Sequence, residues 1–193
     1  MEKAQAREEI ARRLAELSAE RRREASARIR RLVADLPEFD HAAAVMLFVS
    51  LPDEVYTLPI LTDALGAGKA VALPKVDKKA KRMDARLLGD VEADLVPGVF
   101  GIPEPRDCEV IAPGQIDFVL VPARGFDRRG NRLGRGGGYY DTYMAQPGFR
   151  ATRCGVAFAA QVLDEVPHDP HDLPVEILVT EDGVLRFASG QPG

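Results

Sequence analysis

Ala42-Ala-Ala-Val-Met-Leu-Phe-Val-Ser50 decides the fold class, because this segment is apolar at every position before its final serine. A strand that is apolar on both faces is typical of a parallel sheet with another layer packed on each side. Two similar runs follow at residues 69–74 and 116–121. We therefore predict a layered α/β protein with a mainly parallel sheet and helices on both of its faces.

Helices are predicted on either side of this first strand. The first helix has apolar residues at helical spacing: Ala6, Ile10, Leu14 and Leu17. The second helix has the apolar face Ile29, Leu32, Val33 and Leu36. Ser18 is a suitable N-cap for the second helix, and Thr57 and Pro59 mark the start of a third that ends at Gly66. Residues 1–36 are thus predicted to form a helical pair packed on the α/β body.

The C-terminal half continues the alternation of strand and helix. The further predicted elements are a weak strand at 85–88, an irregular loop over 89–115, a helix over 139–145 and strands at 153–158, 176–180 and 184–187. Asp182-Gly183 is a hairpin turn, which predicts a small antiparallel addition at the C-terminal end. We expect a single domain over 1–193, with residues 189–193 frayed.

Composition excludes several classes of protein. The chain has 193 residues and a mass of 21.0 kDa, with 46% hydrophobic and 29% charged residues, as in an ordinary globular protein. No apolar run approaches the roughly 20 residues of a membrane span, and the N-terminus lacks the apolar core of a signal peptide. Cys108 and Cys154 are too few for a disulfide framework. We therefore expect free thiols, a cytoplasmic location and no membrane partner.

Charge is unevenly distributed along the chain. Residues 1–36 hold ten Lys/Arg and seven Asp/Glu, a charge of +3, and the remainder carries −7 of the net −4. Arg21-Arg22-Arg23 is interpreted as a solvated helix face, with RNA binding as an alternative. Because the whole chain is acidic, we expect no nucleic-acid partner. We also expect a monomer.

The most informative segment is Phe126-Asp-Arg-Arg-Gly-Asn-Arg-Leu-Gly-Arg-Gly-Gly-Gly-Tyr-Tyr-Asp141, which follows a buried strand. Its five glycines let backbone N–H groups approach an anion, and its four arginines carry permanently charged forks suited to phosphate. The helix that follows would add its N-terminal N–H groups. The segment fits neither the P-loop nor the dinucleotide-binding pattern. We interpret it as a phosphate-binding loop rather than as a flexible basic turn.

Asp141, in the first turn of that helix, has two possible roles. A carboxylate there complements the positive end of the helix dipole. Beside bound polyphosphate it could instead hold Mg²⁺, which usually takes one or two carboxylates together with phosphate oxygens. The residues alone leave these alternatives open.

The segment Arg132-Leu-Gly-Arg-Gly-Gly-Gly-Tyr-Tyr-Asp141 resembles the signature of the 5-formyltetrahydrofolate cyclo-ligase family. Further matching pieces occur in the family's order: Lys3-Ala-Gln-Ala-Arg7, Ser50-Leu-Pro-Asp-Glu-Val-Tyr-Thr57, Gly68-Lys69 before Leu73-Pro74-Lys75, Gly101-Ile-Pro-Glu-Pro105 and His171-Asp-Leu-Pro-Val-Glu176. The resemblance runs from residue 3 to about residue 180. It implies a fold like that of the NagB/RpiA/CoA-transferase group, and an ATP- and Mg²⁺-dependent closure of 5-formyltetrahydrofolate to 5,10-methenyltetrahydrofolate.

The resemblance also implies roles for individual residues. The implied ATP contacts are Lys3, Arg7, Arg132, Leu133, Gly134, Arg135, Gly136, Gly137, Gly138, Tyr139 and Tyr140. The implied folate contacts are Arg7, Val49, Ser50, Glu54, Phe100, Arg135, Gly136, Gly137, Gly138 and Tyr139. Arg132, Arg135 and Tyr140 are implied as catalytic, and Asp141 and Glu176 as metal ligands. Without the resemblance, Lys3, Arg7 and Glu54 would be interpreted as surface or helix-entry residues.

Two departures from the family pattern are visible. The family usually has aspartate at the position of Glu176. Contact with the metal through water is therefore an alternative to direct ligation by Glu176. Some relatives carry lysine at the position of Gly137, so this loop has one charge fewer.

His168 and His171 are interpreted as structural, because Pro170 between them opposes the helical geometry of a paired metal site.

Two other functions compete with the cyclo-ligase. One is a sugar-phosphate isomerase or transferase, since such enzymes share the layered fold, and fold alone does not decide function. The other is a non-catalytic protein that binds a nucleotide or folate. Consumption of ATP separates both from the ligase.

Overall fold

The protein is described here by a computed structural model that covers residues 1–97, 103–106 and 108–187. The helices are α1 Lys3–Ala15, α2 Ala19–Ala34, α3 Pro37–Asp40, α4 Leu58–Gly66, α5 Val91–Asp94 and α6 Tyr139–Met144. The strands are β1 Ala44–Met46, β2 Ala70–Asp77, β3 Arg82–Leu88, β4 Leu95–Pro97, β5 Pro103–Pro105, β6 Val110–Ile111, β7 Phe118–Val121, β8 Gly125–Asp127, β9 Arg132–Leu133, β10 Thr152–Val156, β11 Val162–Leu163, β12 Ile177–Thr180 and β13 Gly183–Arg186. The predicted frayed tail, 189–193, lies outside the described residues.

Eight of these strands form the central sheet, in the order β13-β12-β10-β7-β1-β2-β3-β6. The five strands from β12 to β2 are parallel, and β1 pairs with both β2 and β7 at the centre. The antiparallel β13 at one edge confirms the predicted C-terminal hairpin. The other edge, β3 and β6, is antiparallel as well, which the sequence analysis did not anticipate. The mainly parallel α/β class is confirmed.

Side chains alternate between two apolar layers because successive residues of a strand point to opposite faces of the sheet. Val45 and Leu47 pack with α1 to α4 on one face, and Ala44 and Met46 pack with α6 on the other. Helices therefore cover both faces, as predicted. No helix in the described part of the chain is long and apolar enough to span a bilayer.

The helical pair forms as the apolar spacing predicts. The Ser18 hydroxyl accepts a hydrogen bond from the Arg21 N–H at 3.2 Å, which confirms it as the N-cap of α2. Thr57 also stands at the N-cap position of α4, but its hydroxyl donates to the Phe48 carbonyl instead of capping the helix. The reason is tertiary: the chain leaving β1 needs a donor for that buried carbonyl.

Two predicted segments differ from the structure. The first predicted strand, 42–50, is shortened to β1, because beyond Leu47 the backbone bonds to the Thr57 hydroxyl rather than to a neighbouring strand. The predicted irregular loop over 89–115 instead contains α5, β4, β5 and β6 among its described residues. The prolines of this segment are typical of a loop, which is why a loop was predicted. In the structure they lie at the ends of the short antiparallel pair β4 and β5.

We expect Gly155→Ala to lower the free energy of unfolding by about 1–3 kcal/mol, the usual cost of overpacking a core. A Cβ at Gly155 would lie 2.6 Å from Cε1 of the fully buried Phe126. Denaturant unfolding measures the change. Gly66→Ala is the matched control, because nothing lies within 4 Å of its added methyl group. Equal stability of the two variants would contradict the prediction.

Candidate functional site

A cavity of about 310 Å³ opens at the carboxyl ends of β1, β2 and β7, where open α/β sheets place their ligands. Its walls come from the segments that leave these strands and from the glycine-rich segment. The lining residues are Phe48, Val49, Leu51, Glu54, Pro74, Val76, Met83, Pro122, Ala123, Arg132, Gly134, Arg135, Gly137, Gly138, Tyr139, Tyr140 and Asp141. The structure thus brings most of the sequence-predicted site residues to one place.

A hairpin formed by β8 and β9 precedes the glycine-rich segment, and the carboxylate of Asp127 holds it together. Asp127 is fully buried, and its two oxygens accept N–H groups from the backbone of Arg129, Asn131 and Val166 and from the Asn131 side chain, at 2.9–3.3 Å. This role of Asp127 was not predicted from the sequence. The signal was present, because an aspartate followed by Gly130-Asn131 is typical of a side-chain-stabilised turn.

The glycine loop, residues 134–138, contains backbone conformations that residues other than glycine rarely adopt. Gly136 and Gly138 have φ values of +102° and +66°. A Cβ at Gly137 would lie 2.7 Å from the ring of Tyr139. Arg7 reaches the loop from α1 and donates its Nε–H to the Gly134 carbonyl at 3.1 Å. The helix that follows, α6, spans six residues and lies close to the predicted bounds 139–145.

Arg132 and Asp141 form a buried ion pair beneath the loop. The Arg132 side chain is only 4% exposed, and its guanidinium contacts the Asp141 carboxylate and donates to the Leu173 carbonyl at 3.2 Å. The same Asp141 oxygen accepts the Leu173 N–H at 2.9 Å. Asp141 therefore neutralises a buried arginine, a role that neither sequence-based alternative included.

Arg135 belongs to a second chain of charges at the mouth of the cavity. Its guanidinium donates to Glu54 at 2.8 Å and to Asp53 at 3.3 Å, and Asp53 also contacts Arg124. Burial raises the pKa of Asp53, but hydrogen bonding and charge from Arg124 and Arg135 outweigh it and hold that pKa below its usual 3.8. Asp53 and Arg124 were not predicted as site residues, because they lie far apart in the sequence and no local pattern pairs them.

Tyr140 places a hydroxyl in the wall of the cavity. Its oxygen is buried and has no hydrogen-bond partner among the described residues. Burial, with the charge of Glu54 adding to it, raises the pKa of Tyr140 well above its usual 10.0. The group is thus a protonated donor without an acceptor. A buried orphan of this kind costs free energy and points to a ligand as its partner.

Four predicted residues lie apart from this cavity or outside the described residues. Lys3 pairs with Asp169 and Asp172, at 2.6 and 2.8 Å, which form a cluster with His171. Glu176 accepts the Arg153 N–H at 2.9 Å, at the amino ends of β10 and β12. Ser50 exchanges hydrogen bonds with Thr57 beside the cavity. Phe100 lies outside the described residues. The structure does not place Glu176 with Asp141.

Residues 1–181 match the model of the 5-formyltetrahydrofolate cyclo-ligase family. A 5-formyltetrahydrofolate cyclo-ligase of Mus musculus is 33% identical over 186 residues, which cover 91% of this chain and 92% of the mouse protein. The NMR structure of Aquifex aeolicus 5,10-methenyltetrahydrofolate synthetase is 34% identical, with a TM-score of 0.85, and the match covers 99% of this chain and 95% of that one. A 5,10-methenyltetrahydrofolate synthetase from Mycoplasma pneumoniae is 22% identical over 94% of this chain and 99% of its own, and its TM-score of 0.75 shows a shared fold.

We expect Asp141→Asn to lower the free energy of unfolding by about 3 kcal/mol or more, because it leaves a buried guanidinium without its counter-charge. Denaturant unfolding at neutral pH measures this. Asp164→Asn is the matched control, since Asp164 is exposed and the change should stay within about 0.5 kcal/mol. A loss below about 1 kcal/mol in Asp141→Asn would instead favour the helix-dipole role.

Proposed function

Because the chain belongs to the 5-formyltetrahydrofolate cyclo-ligase family, we propose that the cavity under the glycine loop is where it brings ATP and 5-formyltetrahydrofolate together. The activity is the family's: 5-formyltetrahydrofolate and ATP give 5,10-methenyltetrahydrofolate, ADP and phosphate. The observation that carries the assignment of the site is the combination of the glycine loop, the buried Arg132 and the unpartnered Tyr140 hydroxyl around one cavity.

The chemistry requires a leaving group. A formamide oxygen leaves poorly, so N10 of the folate cannot displace it directly. Transfer of the γ-phosphoryl group of ATP to that oxygen gives an iminium-like phosphate and releases ADP. N10 then attacks the formyl carbon and loses its proton, and the C–O bond breaks with release of phosphate. The protein has to align both substrates and neutralise the phosphoryl group in transit.

The glycine loop supplies the contacts for phosphate. With glycine at four of the five positions 134–138, the backbone N–H groups can approach ATP closely, and Leu133 precedes them. Arg7 already contacts the loop, and Lys3 lies one helical turn before it on α1. Lys3 would exchange Asp169 and Asp172 for a phosphate of the nucleotide. Tyr139 covers the same side of the cavity.

The three catalytic assignments follow from charge and hydrogen bonding. Arg132 is buried and fixed by Asp141, so it offers a positive charge that needs little reorganisation when the phosphoryl group moves. Arg135 is 46% exposed and can shift from the carboxylates to the phosphoryl oxygens. The Tyr140 hydroxyl would donate to the oxygen that is phosphorylated. Together they stabilise the charge that develops on oxygen.

The implied folate contacts include the glycine loop and, beside it, the segment that leaves β1. Glu54 is 10% exposed, and its carboxylate can accept N–H donors of the reduced pterin ring once Arg135 moves away. Val49 and Ser50 flank it at the end of the segment that leaves β1. Phe100 stays a prediction from the family resemblance.

The residues at the cavity fit Mg²⁺ in part. Two carboxylates, Asp141 and Glu54, lie in the lining, and Glu54 is paired with Arg135. Mg²⁺ needs only one or two carboxylates besides phosphate oxygens and water. The ion, when bound, would neutralise charge on the phosphates. Glu176 contacts Arg153 elsewhere, so we propose Asp141 as the direct ligand and Glu176 at most as a contact through water. A monomeric state, a cytoplasmic location and the lack of a nucleic-acid partner stay predictions from the sequence.

We expect purified protein mixed with 5-formyltetrahydrofolate and MgATP to form the methenyl chromophore, with one ADP released per ring closed. Arg135→Ala should lower kcat about 10²- to 10³-fold, as loss of a transition-state donor does. Arg128→Ala removes an exposed arginine of the nearby turn and should be active. The site assignment is wrong if Arg135→Ala matches Arg128→Ala, and the activity assignment is wrong if the unaltered protein forms no chromophore.

We expect Tyr140→Phe to lower kcat at least tenfold while stability is maintained or rises, because the hydroxyl has no partner to lose in the folded protein. Steady-state kinetics and denaturant unfolding on the same preparation test both parts. Tyr143→Phe is the matched control, since its hydroxyl is also buried without a partner but lies in the core beneath α6. Normal turnover in Tyr140→Phe would remove this tyrosine from the catalytic group.

A further inference from the structure

Four charged side chains link the glycine loop to the segments that follow β1 and β7. Arg135 of the loop contacts Glu54 and Asp53, and Asp53 in turn contacts Arg124, which lies between β7 and β8. The proposed function assigns roles to Arg135 and Glu54 but none to Asp53 and Arg124. The charges of these two residues nevertheless belong to the surroundings that Arg135 leaves when it binds a phosphate.

Arg124 is held in place through its backbone. Its N–H donates to the Leu133 carbonyl at 2.8 Å, and its carbonyl accepts a hydrogen bond from the side chain of the buried Gln161 at 3.0 Å. The Arg124 side chain is 17% exposed, against 46% for Arg135. Because burial restricts the conformations of a side chain, Arg124 has fewer alternative positions than Arg135 has.

Asp53 binds the two arginines through different oxygens. Arg124 contacts Oδ2, and Arg135 reaches Oδ1 at 3.3 Å. Burial raises the pKa of Asp53, and Arg124 contributes more than Arg135 to the opposing effect, which holds that pKa below its usual 3.8. Asp53 is thus chiefly the partner of Arg124, and it stays paired when Arg135 moves away.

Glu54, the other carboxylate that Arg135 contacts, also has a second donor. Its Oε2 accepts the Leu51 N–H at 2.9 Å, while its Oε1 accepts from Arg135 at 2.8 Å. Departure of Arg135 therefore leaves neither carboxylate without a hydrogen bond. The remaining cost is the separation of opposite charges. With Arg124 present, one negative charge is left uncompensated, and without Arg124 there are two.

We propose that Arg124 is a positioning residue: by neutralising Asp53, it lets Arg135 leave the two carboxylates and bind the γ-phosphate of ATP. The proposal rests on the proposed function, in which Arg135 binds phosphate. Among the described residues Arg124 does not line the cavity, so it acts through Asp53 rather than on a substrate. Without Arg124, the charge of Asp53 would add to that of Glu54 and hold Arg135 back.

The test measures kcat/KM for ATP at saturating 5-formyltetrahydrofolate. Arg124→Gln should lower kcat/KM about threefold to fivefold, the effect of one partly exposed ion pair, whereas Arg124→Lys keeps the charge and should stay within about twofold of the unaltered protein. The double variant Arg124→Gln/Asp53→Asn should recover, because it lacks the charge that Arg124 neutralises. Arg186→Gln is the matched control, since it removes an arginine that pairs with Glu38 away from the cavity.

Recovery in the double variant separates positioning from a structural role, because a second substitution would not repair a fold damaged by the loss of Arg124. The proposal is overturned if Arg124→Gln equals the unaltered protein, or if the double variant stays as impaired as Arg124→Gln. Asp53→Asn alone should maintain or raise kcat/KM for ATP. A loss in Asp53→Asn as large as that expected for Arg124→Gln also overturns the proposal, even where Arg124→Gln does not fold.

A second readout does not depend on turnover. Calorimetric titration with the non-hydrolysable β,γ-imido analogue of ATP and Mg²⁺ should show weaker binding to Arg124→Gln than to the unaltered protein, and recovered binding in the double variant. Equal affinity of Arg124→Gln and the unaltered protein for the analogue contradicts the proposal. If the analogue binds but no folate turns over, the proposed function fails, and the titrations still decide the role of Arg124.

Discussion

The buried carboxylate of Asp127 is the interaction on which the rest of the site depends. A carboxylate withdrawn from water must find donors, and this one gathers four N–H groups. Those bonds close the hairpin between β8 and β9, and they also hold Val166 of a distant segment. The hairpin in turn fixes where Arg132 and the glycine loop begin. The glycine loop is thus held by a turn with many hydrogen bonds, although the loop itself is rich in glycine.

The ion pairs around the cavity differ in how far their charged groups are exposed to solvent. Arg132 and Asp141 are buried and hold each other in place, so that pair forms a fixed part of the site. Arg135 and Asp53 are more exposed, at 46% and 38%, although Glu54 is not, and solvent weakens the attraction between exposed charges. Phosphate can therefore compete for Arg135, while Arg132 keeps its position. The two arginines of the site therefore differ in burial: Arg132 is fixed in the interior, and Arg135 is partly exposed to solvent.

Local patterns predicted most of the fold. The continuous apolar run 42–50 indicated a covered parallel sheet, and the spacing of Ile10 and Leu14 indicated an amphipathic helix. Boundaries were less predictable, because strand β1 ends where the backbone after Leu47 bonds to the Thr57 hydroxyl. The short pair β4 and β5 was missed because prolines at its ends obscure a strand pattern.

The sequence by itself determined the chemistry available to this protein: a glycine loop with arginines, tyrosines and Asp141 in one short segment. These residues lie within sixteen positions of one another, so their proximity along the chain keeps them close together in space. Only the tertiary structure decided which charges meet. Asp53 with Arg124, Glu54 with Arg135 and Lys3 with Asp169 are separated by 71, 81 and 166 positions. Pairs so distant in sequence are selected by how the sheet orders its strands, which no local pattern encodes.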